Sequence, residues 1–474
     1  MKKIKGNKSQ SKKLKINKIA STNEKLTSRG GLFFLNEYVE NIGIISRLSH
    51  KFKYLKDSNK GLTVENYFKQ IFSFIFDGTK LNLTYFDELK NNEAYSELLK
   101  LNMDELVTSH QIKRLTGKFR NESRQVDIFR DLLLDIFINS LISEQPEVIE
   151  IGIDTMVLNN DDSNKKEGCS PTYKGVKGFQ PFQVYWNGII IDALFRDGKC
   201  HSNHGNDVKT TLKKIVKKIR KCYSKSVPII IKMDSGFMSD ENFNYFEDVL
   251  KVHFICVGKM YNSIKDYIGE LPANNRETYL GRHQWEYIEF GNKLKSWNKF
   301  RRAVYVQQVP TTIDQMVLDF ARSDRIIYTN IGVNSEIDFA LRDLNNEDYF
   351  SAEYIIKLHH IRATDELVNR DLKDFMTKEK LPFRAFSSNQ VFYYLMTIAF
   401  SVMRNFQRNI SPDILYSNSQ PNSFRRQFID IPGKIISHSG QKILKIAKPY
   451  YEKLKLELIY KRCKSVSLCI PYYQ

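Results

Sequence analysis

The apolar run Pro228–Met233, within PIIIKMDSGFMSD, stops on an acid, Asp234, and Ser235-Gly236 follow it. A short β-branched run closed by a turn signal predicts a buried strand of the parallel type. A strand built this way delivers a carboxylate to its C-terminal edge, where open α/β sheets usually carry their chemistry. An Asp here equally starts a turn or caps the next helix. Its meaning therefore depends on partners elsewhere in the chain.

The upstream segment VIEIGIDTMVL alternates, with Ile149, Ile151 and Ile153 on one face and Glu150 and Asp154 on the other. PFQVYWNGIIIDALF reads as a hairpin turning at Asn187-Gly188. A helix over 206–222, the Pro228 strand, a helix from about Ser239 and the strand VHFICVG complete a mixed sheet with helices. If the strands of Asp154 and Asp234 are neighbours, their carboxylates meet at one edge. Two close acids stay ionised together only with a cation between them. Hard oxygen donors suit Mg²⁺ or Mn²⁺, and two such ions about 4 Å apart serve in-line phosphoryl transfer.

That chemistry calls for a third carboxylate, and LHHIRATDELVNRDLKDF supplies one. At 100° per residue from His359, Arg362 falls at about −60°, Glu366 at about −20° and Lys373 at about −40°. Ile361, Val368, Leu372 and Phe375 fall on the opposite side. One face is expected in the core, and the other presents a carboxylate with two cations and an imidazole. A solvated charged face is the plain alternative.

The formal charge of +19 points to a polyanionic partner, nucleic acid or an anionic membrane surface. The Lys-rich N-terminus has no apolar stretch behind it, and Val391–Met403 is too short to span a bilayer, so nucleic acid leads. Cysteines at 169, 200, 222, 256, 463 and 469 form no CxxC pair, which fits reduced thiols in a cytoplasm. Cys200, His201 and His204 lack the second pair a zinc site needs.

Residues 1–27 read as a basic arm and 28–145 as helical, with Thr63 capping one helix. In TSHQIKRLTGKF, Ser109 is the expected cap. Ile112 and Leu115 point inward, and Gln111, Lys113, Arg114 and Lys118 outward. This is either the recognition helix of a helix-turn-helix or an ordinary basic surface helix. Residues 146–260 carry the first part of the sheet. QWEYIEF, RAVYVQQ and RIIYTN predict a mainly β insertion over 261–344. Helices return over 345–412, and 413–474 is basic, with Arg425 and Arg426.

The spacing His359-x2-Arg362-x3-Glu366-x6-Lys373 resembles the Y-x2-R-x3-E-x6-K signature of bacterial insertion-sequence transposases with a DDE triad, with His359 in place of Tyr. GIDTM and MDSGF resemble the segments around the family's first and second Asp. LTSRGGLFFLNEYVENIGI (26–44), YKGVKGFQPFQVY (173–185), FSSNQVFYYLMTIAFSVMRN (386–405) and IPGKIISHSGQKILKI (431–446) are similar to the thirteen-eighty family of insertion sequences.

The resemblance implies an α/β fold with a ribonuclease-H-like, retroviral-integrase-like catalytic core. A mainly β insertion interrupts that core, and a helical DNA-binding domain precedes it. The implied activity is cleavage of double-stranded DNA at transposon terminal inverted repeats and joining of the 3′-hydroxyls to target DNA. It implies a homodimer in the synaptic complex and a cytoplasmic, nucleoid-associated protein. Asp154, Asp234 and Glu366 would hold two Mg²⁺ (or Mn²⁺) ions, with Arg362, Lys373 and His359 beside the DNA. Trp285 and Trp297 are the candidates for stacking on a flipped base, against the commoner role of aromatics in a β core. A metal-dependent endonuclease without joining, and a transposase-derived DNA-binding protein without catalysis, are the alternatives.

Overall fold

The strands that hold the candidate acids lie in the middle of one large mixed sheet. The computed structural model describes residues 16, 18–56, 61–163, 165–281, 283–309, 324–376, 379–417 and 419–466; the side chains of 273 and 362–365 are outside this description. Most of the basic arm, 1–15 and 17, is likewise outside the described residues.

Nine strands build the sheet of the described residues: β1 (Ile149–Thr155), β2 (Phe182–Trp186), β3 (Ile189–Leu194), β4 (Ile229–Met233), β5 (His253–Val257), β6 (Glu277–Leu280), β7 (Gln284–Asn292), β8 (Arg301–Gln308) and β9 (Asp324–Thr329). Their order is β6-β7-β8-β9-β5-β4-β1-β2-β3. β1, β4 and β5 are parallel, and every other pairing is antiparallel. Asn187 and Gly188 both take positive φ, 44° and 76°, as a two-residue hairpin between β2 and β3 requires.

Period-two alternation sends Ile149, Ile151, Ile153, Ile229, Ile231 and Met233 to one face. There they pack under α3 (Ser123–Glu144) and α4 (Asp207–Cys222), among others. Ile230, Ile255, Val304 and Ile327 point to the other face and pack against Ile355, Ile356 and Leu358 of α5 (Ala352–Phe375). On that same side α6 (Phe386–Asn405) covers β3, where Tyr394 Oη donates to the Ala193 carbonyl at 3.0 Å.

The strands over 277–329 do not stand apart from the core: β9 pairs with β5, and the whole set extends the central sheet. The helices over 32–144 include α1 (Val64–Asp77) and α2 (Ser109–Thr116). Their apolar side chains share one core with α6 and with Phe424, Phe428 and Ile459. The end of the arm is not free, since Lys25–Thr27 form a strand paired with Gly433–Ile435. Segments far apart in the chain thus meet: Gly30 N donates to Ile431 O at 2.8 Å, and a Cβ on Gly31 would lie 1.7 Å from the Phe428 carbonyl oxygen, a space only glycine fits.

Arg425, read as part of a basic tail, is an internal clamp. It is buried and donates to the carbonyls of Ile75 and Phe76 at the end of α1 and of Phe375 at the end of α5. Burial lowers its pKa to about 10, and it remains a cation where the helix dipoles favour one.

Candidate active site

β1 and β4 run parallel in a fixed register, Ile149 beside Ile229 and Gly152 beside Lys232. Asp154 lies two residues further along β1 and Asp234 directly after the end of β4, so both acids stand at the same edge of the sheet. Both share the α5 side of the sheet, because Ile153 and Met233 point the other way. The phenol of Tyr173 senses the pair. Its pKa is raised by desolvation first and then by the negative charges of Asp154 and of Asp234.

Asp234 does cap its turn: Oδ1 accepts from Gly236 N at 2.9 Å. Asp154 Oδ1 accepts from Thr155 N at 2.7 Å, and Oδ2 accepts from Asn369 Nδ2 at 2.8 Å. Asn369 lies on α5, one turn after Glu366. That single bond brings the Glu366 helix onto β1, since positions three apart on a helix are about 5–6 Å apart. Glu366 is exposed there. Among the described residues no group of three His, Cys, Asp or Glu is drawn close enough to close around a metal. The donor chemistry of the pair, carboxylate oxygens at one sheet edge, fits a hard divalent cation.

Asn369 was missed in the sequence, although the helical wheel that groups Glu366 and Lys373 puts it at about −80°. Behind it stand Tyr185, whose oxygen is 2.5 Å from Asn369 Oδ1, then Gln183, 2.6 Å from Tyr185, and Tyr393 of α6, 2.6 Å from Gln183. Gln183 is opposite Asp154 on β2.

Other expected residues are placed differently. His359 is buried, with Nε2 3.2 Å from Arg325 Nη1 on β9, because the strands that extend the sheet cover the first half of α5. Lys373 pairs with Glu379, Nζ to Oε1 3.0 Å. The Arg362 side chain lies outside the described residues. Trp297 is buried edge-on against Phe243 and Tyr328, which leaves no face for a base. Trp285 is half-buried, 4.7 Å from the His360 ring, centroid to centroid.

On α2 the cap is Thr108, not Ser109. Thr108 Oγ1 accepts from Gln111 N, and Gln111 Oε1 accepts from Thr108 N at 2.8 Å, while Ser109 Oγ donates to Asp87. Gln111 is thus spent on capping, and Lys118, past the helix end, donates to the Leu55 carbonyl. Lys113 and Arg114 are exposed.

Residues 8–467 match the family described as transposase DDE domain group 1, and the chain belongs to that family: it is a transposase. Among solved structures it is similar to the piggyBac transposase synaptic complex with hairpin DNA, at 11% identity and a TM-score of 0.41, over 94% of this chain and 85% of that one. No curated protein matches.

Proposed function

We propose that this transposase binds the terminal inverted repeats of its element, cuts the DNA at the ends and joins the freed 3′-hydroxyls to target DNA. The core would be ribonuclease-H-like, a reading supported by the β5-β4-β1-β2-β3 order with β1, β4 and β5 parallel. The observation that supports the function most is the parallel β1–β4 pairing, with Asp154 near the end of one strand and Asp234 just past the end of the other. Asp154, Asp234 and Glu366 would hold divalent cations, Mg²⁺ or Mn²⁺. When bound, such ions sharpen an attacking water or 3′-hydroxyl and stabilise the leaving oxygen. The acids' task is then to stay aligned as a set of oxygen donors. Lys113, Arg114, Arg362 and Trp285 are proposed DNA contacts, and the working form is a homodimer that pairs two ends.

The test is cleavage and strand transfer on a duplex carrying the inverted repeat found beside the gene. Wild type should cut and join in Mg²⁺. Asp154→Ala, Asp234→Ala and Glu366→Ala should each bind the duplex and cut nothing. Cutting without joining would make the protein an endonuclease, and retained cleavage in a folded variant would remove that residue from the site.

A further inference from the structure

The contacts behind Asp154 have a proton count that fixes their direction. Asn369 must turn its NH2 to the Asp154 carboxylate, which can only accept, so its Oδ1 faces Tyr185. The Tyr185 hydroxyl has one proton and two short neighbours, Asn369 Oδ1 at 2.5 Å and the Gln183 amide at 2.6 Å. Asn369 Oδ1 needs that proton. As placed, Gln183 Oε1 accepts from Tyr185 and Nε2 donates to Tyr393, which gives the Tyr185 proton two acceptors; turning the Gln183 amide over removes the conflict, so that its NH2 donates to the Tyr185 oxygen and its carbonyl accepts from the Tyr393 hydroxyl 2.6 Å away. Every group acquires a partner in one arrangement: Tyr393 donates to Gln183, Gln183 to Tyr185, Tyr185 to Asn369 and Asn369 to Asp154.

We infer that Asn369 is the positioning residue of Asp154, held in its orientation by this one-way relay from α6 through β2. The relay is rigid because Gln183, Tyr185 and Tyr393 are each fully buried. A donor aimed at one carboxylate oxygen favours the ionised form and fixes the carboxylate plane. It also locks α5, and so Glu366, to β1. An Asp at position 369 would oppose a second negative charge to Asp154, and a Leu would leave Oδ2 without its donor. The amide alone both donates to the acid and accepts from Tyr185.

The inference rests on the metal-site reading above, and the experiment separates the two. Mn²⁺ binding to the DNA-free protein is measured by titration, with melting temperature recorded for each variant. Asn369→Ala should weaken Mn²⁺ about tenfold or more, the usual cost of losing a partner that orients a metal ligand. Tyr185→Phe, which removes one hydroxyl and keeps the ring, should weaken it less. Both should bind inverted-repeat DNA as wild type does, and raising Mn²⁺ should restore much of the cleavage rate in each. A purely structural role would lower the melting temperature and leave the Mn²⁺ constant alone. A wild-type constant in Asn369→Ala overturns the positioning role, and one in Tyr185→Phe overturns the relay. In both cases Asp154→Ala must itself have lost Mn²⁺; if it has not, the metal site fails and the inference with it.

Discussion

The two faces of the central sheet are made by the same three parallel strands and have opposite characters. Under α3 and α4, β1 and β4 present Ile149, Ile151, Ile153, Ile229, Ile231 and Met233, an apolar layer. Toward α5 the alternate positions are Glu150, Asp154, Lys232 and Asp234, and on β5 His253, which stands beside Ile230. One side is apolar throughout, whereas the α5 side sets the acids beside an apolar cluster of its own, Ile230 and Ile255 against Ile355 and Ile356. Because side chains alternate strictly along a strand, each face is tuned without touching its neighbour.

The largest expected effect tests that division. Asp154→Ala or Asp234→Ala should lower DNA cleavage by at least about a thousandfold, on the scale of losing preorganised charge stabilisation. The melting temperature should fall only modestly, since each variant loses hydrogen bonds worth about 1 kcal/mol apiece, from Gly236 to Asp234 or from Asn369 to Asp154. A large loss of stability in these variants would break the comparison.

The mirror experiment is Ile231→Ala on the apolar side. Ile231 is fully buried, and its truncation should cost about 2–5 kcal/mol in denaturant unfolding. Activity per folded molecule should be unchanged. A specific loss of cleavage would mean that the apolar layer also sets the site.

His253 gives the α5 side a pH signature. Burial lowers its pKa from 6.5 to about 4. Asp338 Oδ1 is 3.7 Å from Nδ1, an ion-pair distance, but burial raises the Asp338 pKa, so both groups favour the neutral form. A depressed folded-state pKa makes the contribution full above pH 6.5. It is lost as pH falls toward 4, because only the unfolded chain takes up the proton there. The span corresponds to about 3 kcal/mol. His253→Phe should flatten the melting temperature across that window, and an unchanged slope would assign the pH dependence to other groups.

The smallest effect concerns the Glu150–Lys232 pair, 3.2 Å apart, with Lys232 buried and Glu150 partly exposed. Glu150→Gln should cost about 1 kcal/mol, since the amide still accepts a hydrogen bond from the ammonium. A loss of several kcal/mol would show the pair to be a structural pillar of the face, not an accompaniment to the acids.

Local periodicity decided a good deal. Ile149, Ile151 and Ile153 against Glu150 and Asp154, the Asn187-Gly188 turn and the Thr63 cap, with Thr63 Oγ1 3.1 Å from Asn66 N, all depend on residues within a few positions of one another. Such features are written in spacing and residue type. The wheel of α5 was legible in the same way at Val368, Leu372 and Phe375, which are all buried.

What spacing leaves undecided is which element lies against which. β9 pairs with β5 across some seventy positions, and that pairing buries His359, which the wheel alone turns outward. Asn369 acquires its meaning only because Asp154, Tyr185, Gln183 and Tyr393 arrive from β1, β2 and α6. Arg425 passes for tail charge until the carbonyl ends of α1 and α5 converge on it. The sequence by itself determined the strands, the turns and which acids end them. Tertiary structure alone decided which polar side chains became partners, because a hydrogen bond between distant residues depends on a sheet register and a helix seat, which no short window of sequence contains.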